Sequence, residues 1–455
     1  MVKLAWPNQR ENRLAIFAVC ITIIALLSDS SIAQVYRIIY GNIYSTENLR
    51  GAVNLNVAIF TVLAAVCTAG QYVILNFVKS KSRSVIAPKS FHLWLITKGI
   101  DILQYGIVAS LFSLIVQMAF TSTYSVFILI VIIVANYVVA SIIIAILSAR
   151  FFSWFRRNRT AIIFLYGLSM ALLSLNTCFT FAHASNLLLN QPSLMQPHLL
   201  HVTASPTGHP FVAYGFLASS ISSFALTWGA TVLLLRHYAK RIGIAAYWVI
   251  MIVPLAFFLA QFQPLFLDVF HQYRMSDPVT FGVFYTLVFS LSQPVGGILF
   301  GVAMWTVARH LQIPSVRNYM IISAYGLVLF FVSNQAIVSV NFGYPPYGII
   351  AVSFLGLSSY LVLIGIYSAA VSVAQDIKLR GSIKKMALEE VKFLDVIGTA
   401  QMEQQIIGKV LSVSKQNRDE MKEKSGLEIS LEEEDMTRYL QDVLKEVRNS
   451  KGSIK

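Results

Sequence analysis

Apolar stretches of roughly 20 residues alternate with short polar loops along most of the chain, and a helix of that length crosses the hydrocarbon core of a bilayer. Ten stretches fit: 14–39, 52–77, 102–120, 124–147, 161–182, 211–235, 244–266, 279–308, 319–340 and 348–374. The pattern predicts an all-α fold, a polytopic transmembrane bundle of about ten helices.

After residue 375 the apolar residues recur every three or four positions, from Ile383 to Val413, which is the spacing of one stripe on a helix. A second amphipathic helix is predicted near 430–448, where Ser430 and Glu433 match a capping box. The chain therefore divides into a transmembrane bundle (1–375) and a cytoplasmic helical hairpin (376–455). Because the stripe continues the last apolar stretch in helical register, we expect one continuous helix from 348 into the tail.

Basic residues mark alternate loops. Sixteen Lys and Arg residues lie at the amino terminus or after the second, fourth, sixth and eighth stretches, whereas the intervening loops hold only Arg37, Arg50 and Arg274. Short cytoplasmic loops retain Lys and Arg. Both termini are therefore predicted to be cytoplasmic.

The first stretch has a second interpretation. Its basic flank, its apolar run and the small-residue site Ser31-Ile32-Ala33 also match a cleavable signal peptide. Cleavage would leave nine spans with an external start. Retention is favoured because the apolar character resumes through 35–39.

Composition supports a membrane protein, with 56% hydrophobic residues, 12% charged residues and a mean hydropathy of +0.67. The net charge of +14 arises within residues 1–375, which hold 20 basic and six acidic residues. Since these bases lie in loops between apolar spans, they indicate membrane topology, and no nucleic-acid partner is expected. The lipid bilayer is the predicted partner, and the cell membrane the predicted location.

Polar residues inside the spans are candidates for a substrate pathway, because a membrane makes them costly. Asp29 is the only acid well inside a span. In the eighth span Pro294 predicts a kink or break, and broken helices line the sites of many transporters. The predicted pathway residues are Gln293, Pro294, Gly297, Asn334, Gln335 and Asn136.

An alternative explains the same residues by packing. Gly297 and Gly301 have the small-xxx-small spacing of a close helix contact, and amides can hydrogen-bond across helices. If the residues form a pathway, Gln293, Asn334 and Gln335 should line one polar cavity.

Histidines concentrate on the predicted external side, and imidazole is a common ligand of zinc and copper. The candidate metal ligands are His183, His198, His201, His209 and His271. The alternative is a loop on the membrane surface in which histidine is tolerated at the interface.

The tail contains the runs LEEVKFLDVIGTAQMEQQI (388–406) and EDMTRYLQDVL (434–444). In these runs it resembles the tail of uncharacterised multi-pass proteins of ammonia-oxidising archaea. The resemblance covers less than a fifth of the chain and implies no activity.

Two function classes remain open. No phosphate-binding loop, metalloprotease motif or nucleophile elbow is present, so an enzyme is not expected. The first class is a transporter or channel for a small uncharged or weakly polar solute. The second is a sensor or scaffold that relays a signal to a cytoplasmic partner. In either class, residues 376–455 are expected to bind that partner or a second copy of the chain.

Overall fold

The structure is a computed structural model that describes residues 9–42, 49–86, 91–121, 123–190, 210–262, 276, 278–309, 311, 314–335, 345–375, 389–425 and 443. It is 94% helical, with no strand among those residues. In chain order the helices are α1 (Gln9–Asn42), α2 (Leu49–Ile86), α3 (Phe91–Thr121), α4 (Val126–Arg157), α5 (Ala161–Asn190), α6 (Pro210–Leu235), α7 (Ala239–Ile242), α8 (Ile244–Ala260), α9 (Pro278–Ser290), α10 (Ser292–Arg309), α11 (Pro314–Gln335), α12 (Ile349–Val352), α13 (Leu355–Gln375) and α14 (Glu389–Ser425).

All ten predicted apolar stretches contain helix, which confirms the all-α polytopic bundle. Among the described residues, nine helical segments are long and apolar enough to cross a membrane. The seventh predicted span is α8, whose 17 residues extend roughly 25 Å at ~1.5 Å per residue.

Two spans are interrupted. The eighth span divides into α9 and α10 at Leu291, three residues before Pro294. Proline has no N–H to donate to the carbonyl one turn earlier, so the break expected from the sequence is confirmed. The last span divides into α12 and α13 at Ser353 and Phe354, where the sequence gives no comparable signal.

The divided last span forms the centre of the bundle. Within the segment Ile349–Gln375 a stretch of 18 residues is 100% buried, the highest share of any span described. It packs most extensively against α11, where a Cβ on Gly365 would lie 2.6 Å from the backbone N of Ser323. Glycine at this position therefore permits a close approach of the two helix backbones.

The first tail helix, α14, packs against the bundle rather than extending away from it. Its buried residues include Phe393, Ile397 and Ala400. The indole Nε1 of Trp154 on α4 donates a hydrogen bond to Gln401 Oε1 at 3.0 Å.

The expectation of one continuous helix from 348 into the tail is wrong. A Cβ on Gly398 would lie 2.3 Å from Val373 Cγ1, so these two residues are neighbours. In a straight helix, residues 25 positions apart would be separated by roughly 38 Å. Residues 376–388 and the predicted second tail helix, apart from Val443, lie outside the described residues.

Candidate functional site

A cleft of about 640 Å³ lies between α2 and α3. Its volume falls within the range of ligand pockets, which is ~300–1,000 Å³. One wall is the face of α2 from Thr61 to Lys79, and the other is the face of α3 from Gln104 to Ile115.

Short side chains on α2 create the space. Ala64, Ala65, Thr68 and Ala69 line the cleft. In a helix, residues four apart lie on the same face, so these four positions form one patch of small side chains. The facing wall on α3 is apolar and bulky, and its lining residues there are Val108, Leu111, Phe112 and Ile115.

Among the polar residues that line the cleft, the amides Gln71 and Gln104 are buried, at 4% and 5% exposed. The Gln71 Nε2 donates to Ser353 Oγ at 3.3 Å, while the Gln71 Oε1 and both amide atoms of Gln104 have no hydrogen-bond partner among the described residues. A buried polar group without a partner costs about 1–3 kcal/mol. These three atoms are closed to the cleft in this structure, so a ligand that offers a donor and an acceptor would remove this cost once the amides turn towards it.

The hydrogen bond to Ser353 connects the cleft to the break in the last span. On the other side of this break, the Asp29 carboxylate of α1 accepts a hydrogen bond from the backbone N–H of Ala351 at 3.0 Å. Gly348, with φ of 90°, precedes α12 in the left-handed region that favours glycine. Among the described residues, Asp29 is the only charged side chain that is buried.

An ion pair lies at one end of the cleft. Lys79 Nζ is 2.8 Å from Asp101 Oδ1, and the two side chains are 36% and 14% exposed. The loop charges predict that this end is cytoplasmic. Because the pair neutralises itself, the cleft carries no net charge from these two residues.

The predicted pathway residues of the eighth span lie elsewhere in the bundle. Gln293, Pro294 and Gly297 are buried in the first turns of α10. A Cβ on Gly297 would lie 2.7 Å from the Cβ of Phe331, and one on Gly301 would lie 2.9 Å from the carbonyl oxygen of Ala324. The two glycines therefore make the close helix contact that the packing alternative describes.

The predicted asparagines are hydrogen-bonded between helices. Asn334 Nδ2 donates to Asn176 Oδ1 at 3.1 Å, and Asn176 Nδ2 donates to Ser219 Oγ at 3.2 Å, which links α11, α5 and α6. Asn136 Oδ1 accepts from the backbone N–H of Gly356 at 3.3 Å. Asn334 and Asn136 therefore bond to different partners, and neither lines the α2–α3 cleft.

Gln335 ends α11, and its side chain lies outside the described residues. None of the six predicted pathway residues lines the cleft. Sequence reasoning missed Gln71 and Gln104, although each stands inside an apolar span. The run of small residues from Ala64 to Gly70 beside Gln71 was the available signal.

The predicted metal ligands are not placed by the structure. His183 belongs to α5 but its side chain lies outside the described residues, as do the other four histidines. Within the described part of the chain, no group of three or more His, Cys, Asp or Glu side chains could hold a metal ion. The external zinc or copper site stays a prediction.

Comparison with known proteins found no relative of this chain. No protein family, no curated protein sequence and no solved structure matches this chain.

Proposed function

We propose that this protein is a transporter of the cell membrane that carries a small, uncharged or weakly polar solute and binds it in the α2–α3 cleft. The observation that carries the proposal is the pair of buried amides, Gln71 and Gln104, which line the cleft and hold polar atoms without partners among the described residues. Groups of this kind are usually satisfied in folded proteins, so an exception indicates a position where a ligand supplies the partner.

The class of solute follows from the charge of the cleft. Its lining is largely apolar, and its one charged residue, Lys79, pairs with Asp101 at one end. An ion placed beside the glutamines would lose its hydration without gaining a counter-charge from the lining of the cleft, whose one charged residue is the paired Lys79, and this is strongly unfavourable. An uncharged solute with a hydroxyl or amide group loses less on entering and can bond to both glutamines.

The divided last span supports movement as well as binding. Transporters commonly place their sites beside discontinuous helices, because the ends of such helices leave backbone groups free to rearrange. Here the Gln71 Nε2 is hydrogen-bonded to Ser353 at the break, while its Oε1 has no partner among the described residues. A solute that turns the Gln71 amide in order to bond with Oε1 therefore acts on the junction of α12 and α13.

The test is solute flux into proteoliposomes, with glycerol and longer uncharged diols as probes. We expect Gln71→Leu with Gln104→Leu to lower flux by roughly 5- to 150-fold, since two hydrogen bonds are worth about 1–3 kcal/mol in total. Thermal stability should change little, because the loss of the Gln71 bond to Ser353 is offset by the replacement of amide atoms that lack partners.

The matched control is Gln293→Leu, the same change at a buried glutamine outside the cleft. We expect it to keep flux. Loss of flux in this control but not in the cleft variant would transfer the pathway to the eighth span and overturn the proposal.

A second candidate function is a sensor that signals through its tail. The observation that favours it is the contact of α14 with Val373 at one end of α13, while the break at the other end of α13 is bonded to Gln71. One buried helix thus joins the tail to Ser353, the residue that bonds to Gln71. This function requires that the tail can separate from the bundle without unfolding it.

A further inference from the structure

We propose that residues 236–248 bind an anionic phospholipid, with Arg236, Lys240 and Arg241 holding its phosphate group. None of these residues lines the α2–α3 cleft, so the proposal is independent of the transport function. Three features carry it: the position of the bases at the tip of a membrane hairpin, the apolar side chains beside them, and the lack of acidic partners among the described residues.

The bases lie at the tip of the hairpin that α6 and α8 form. The Tyr247 hydroxyl donates a hydrogen bond to the Val232 carbonyl oxygen at 2.7 Å. The Trp228 indole Nε1 donates to the Met251 carbonyl oxygen, also at 2.7 Å. The partners move apart in sequence by equal steps, as in two antiparallel helices. This register leaves residues 236–243 as the tip, which begins about one helical turn, or ~6 Å, beyond Val232.

Apolar side chains begin directly after the bases. Ile242 and Ile244 are 52% and 68% exposed, and Trp248, one turn further along α8, is 42% exposed. Exposed apolar side chains on a membrane helix face lipid, and tryptophan favours the interface between head groups and hydrocarbon. The boundary of the hydrocarbon therefore lies close to Ile242, which places Lys240 and Arg241 at the level of the phosphate groups.

The bases have no acidic partner in the described part of the chain. All three side chains are exposed, and none of them forms an ion pair with a described residue. The helices α6, α8 and α10 contain no Asp or Glu. The tail helix α14 also contacts α6, but its Glu403 lies near Arg157 of α4. The positive charge of the tip is therefore available to an anion from outside the protein.

An anionic phospholipid matches these groups in charge and in shape. Arginine can bind phosphate oxygens through two parallel N–H bonds, and lysine adds a point charge. A zwitterionic head group carries its own cation and gains less from the bases. A soluble phosphate would use the bases alone, whereas a phospholipid also covers Ile242, Ile244 and Trp248 with its acyl chains. Each base near an anionic surface favours binding by roughly fivefold, so three give on the order of 100-fold.

The bound lipid stabilises a span that the protein itself covers only in part. The buried residues of α8 are Tyr247, Met251, Pro254 and Phe258. The 17 residues of α8 extend roughly 25 Å, less than the ~30 Å hydrocarbon core, so its basic end is drawn towards the acyl region. A lipid bound at the tip in the folded state therefore holds the α6–α8 hairpin in place.

The experiment places the full chain in phosphatidylcholine nanodiscs with a small share of phosphatidylglycerol, which carries a photoreactive diazirine at the glycerol end of its acyl chain. Peptide mapping by mass spectrometry locates the label. Labelling of 236–248 should be about tenfold or more above that by phosphatidylcholine with the same diazirine. Arg236→Gln with Lys240→Gln and Arg241→Gln should reduce this preference to about twofold or less.

The matched control is Arg156→Gln with Arg159→Gln and Arg317→Gln, which removes three exposed bases of other loops. It should keep the preference, because it changes the net charge equally and leaves the tip intact. Equal labelling of 236–248 by the two lipids in the unmodified protein overturns the proposal. An equal loss of preference in the control also overturns it, since the attraction would then belong to the net charge. Displacement of the label by inorganic phosphate at the concentration of the lipid assigns the bases to a soluble anion instead.

Thermal unfolding gives a second readout that does not depend on labelling. In phosphatidylcholine alone, both triple variants should unfold like the unmodified protein, because only exposed side chains are exchanged. Phosphatidylglycerol should raise the Tm of the unmodified protein and of the control, but not that of the tip variant. A rise that is equal in all three proteins, or absent from the unmodified protein, contradicts a lipid site at the tip.

Discussion

Replacing Phe393 with alanine is expected to release the first tail helix from the bundle. The Phe393 side chain is 2% exposed, and its ring centroid lies 5.6 Å from that of Tyr166 and 6.5 Å from that of Phe151. It therefore fills a pocket between α4 and α5. When the tail separates, this side chain is exposed, so its truncation destabilises the docked state and leaves the released state nearly unchanged.

The magnitude follows from core truncations in general. Phe-to-Ala changes at buried positions cost about 3–5 kcal/mol, and each ~1.4 kcal/mol is a factor of ten in an equilibrium constant. The population of released tail should therefore rise by roughly 10²- to 10⁴-fold. Backbone amides within 393–401 are protected by docking, and their exchange rates should rise by the same factor.

Hydrogen exchange measured by mass spectrometry on the full chain in detergent tests this. The control is Val413→Ala on the same helix, where the side chain is 51% exposed and truncation should change stability by less than about 0.5 kcal/mol. Unchanged protection of 393–401 in the Phe393 variant would refute the contribution assigned to Phe393 in holding the tail helix against the bundle. Simultaneous loss of protection in α13 would refute independent release of the tail.

Two further variants test the centre of the bundle by thermal unfolding. Gly365→Ala should destabilise by about 1–3 kcal/mol because the added methyl meets the backbone of α11, whereas Gly229→Ala, with no atom within 4 Å of the new Cβ, should be neutral or stabilising by up to ~1 kcal/mol. Equal effects of the two would contradict the close approach. Asp29→Leu should cost about 1–3 kcal/mol more than Asp29→Asn, because only asparagine keeps an acceptor for the Ala351 N–H. Equal stability of the two Asp29 variants would show that the hydrogen bond from Ala351 is not the reason why an acid is buried there.

Hydropathy predicted the spans well, because each apolar stretch must satisfy its own backbone inside the bilayer as a helix. Pro294 likewise predicted a break, since the missing N–H is a property of that residue alone. The break at Ser353 was not predictable in this way. It is stabilised by Asp29 and Gln71, which lie 322 residues before Ala351 and 282 before Ser353, so it depends on tertiary contacts.

The cleft was missed for a related reason. The sequence of a span shows which residues are small or polar. It does not show which neighbouring helix leaves the space beside them empty. The small patch at Ala64 and Ala65 could equally have packed against another helix, as Gly297 does. The pattern also could not predict where the tail helix packs, because an amphipathic stripe does not show which surface covers it.

The central position of the last span makes its late synthesis significant. Asp29 and Asn136 enter the membrane early, yet the N–H groups that bond to them belong to Ala351 and Gly356. At a translation rate of roughly 5–20 residues per second, Asp29 would wait about 16–64 s for its partner. Until then the earlier helices surround an incomplete interior that holds a carboxyl group without its bond. A chain that ends before residue 345 would retain nine of the ten predicted apolar stretches and still lack its core, so we expect it to be a target of membrane quality control rather than a smaller working protein.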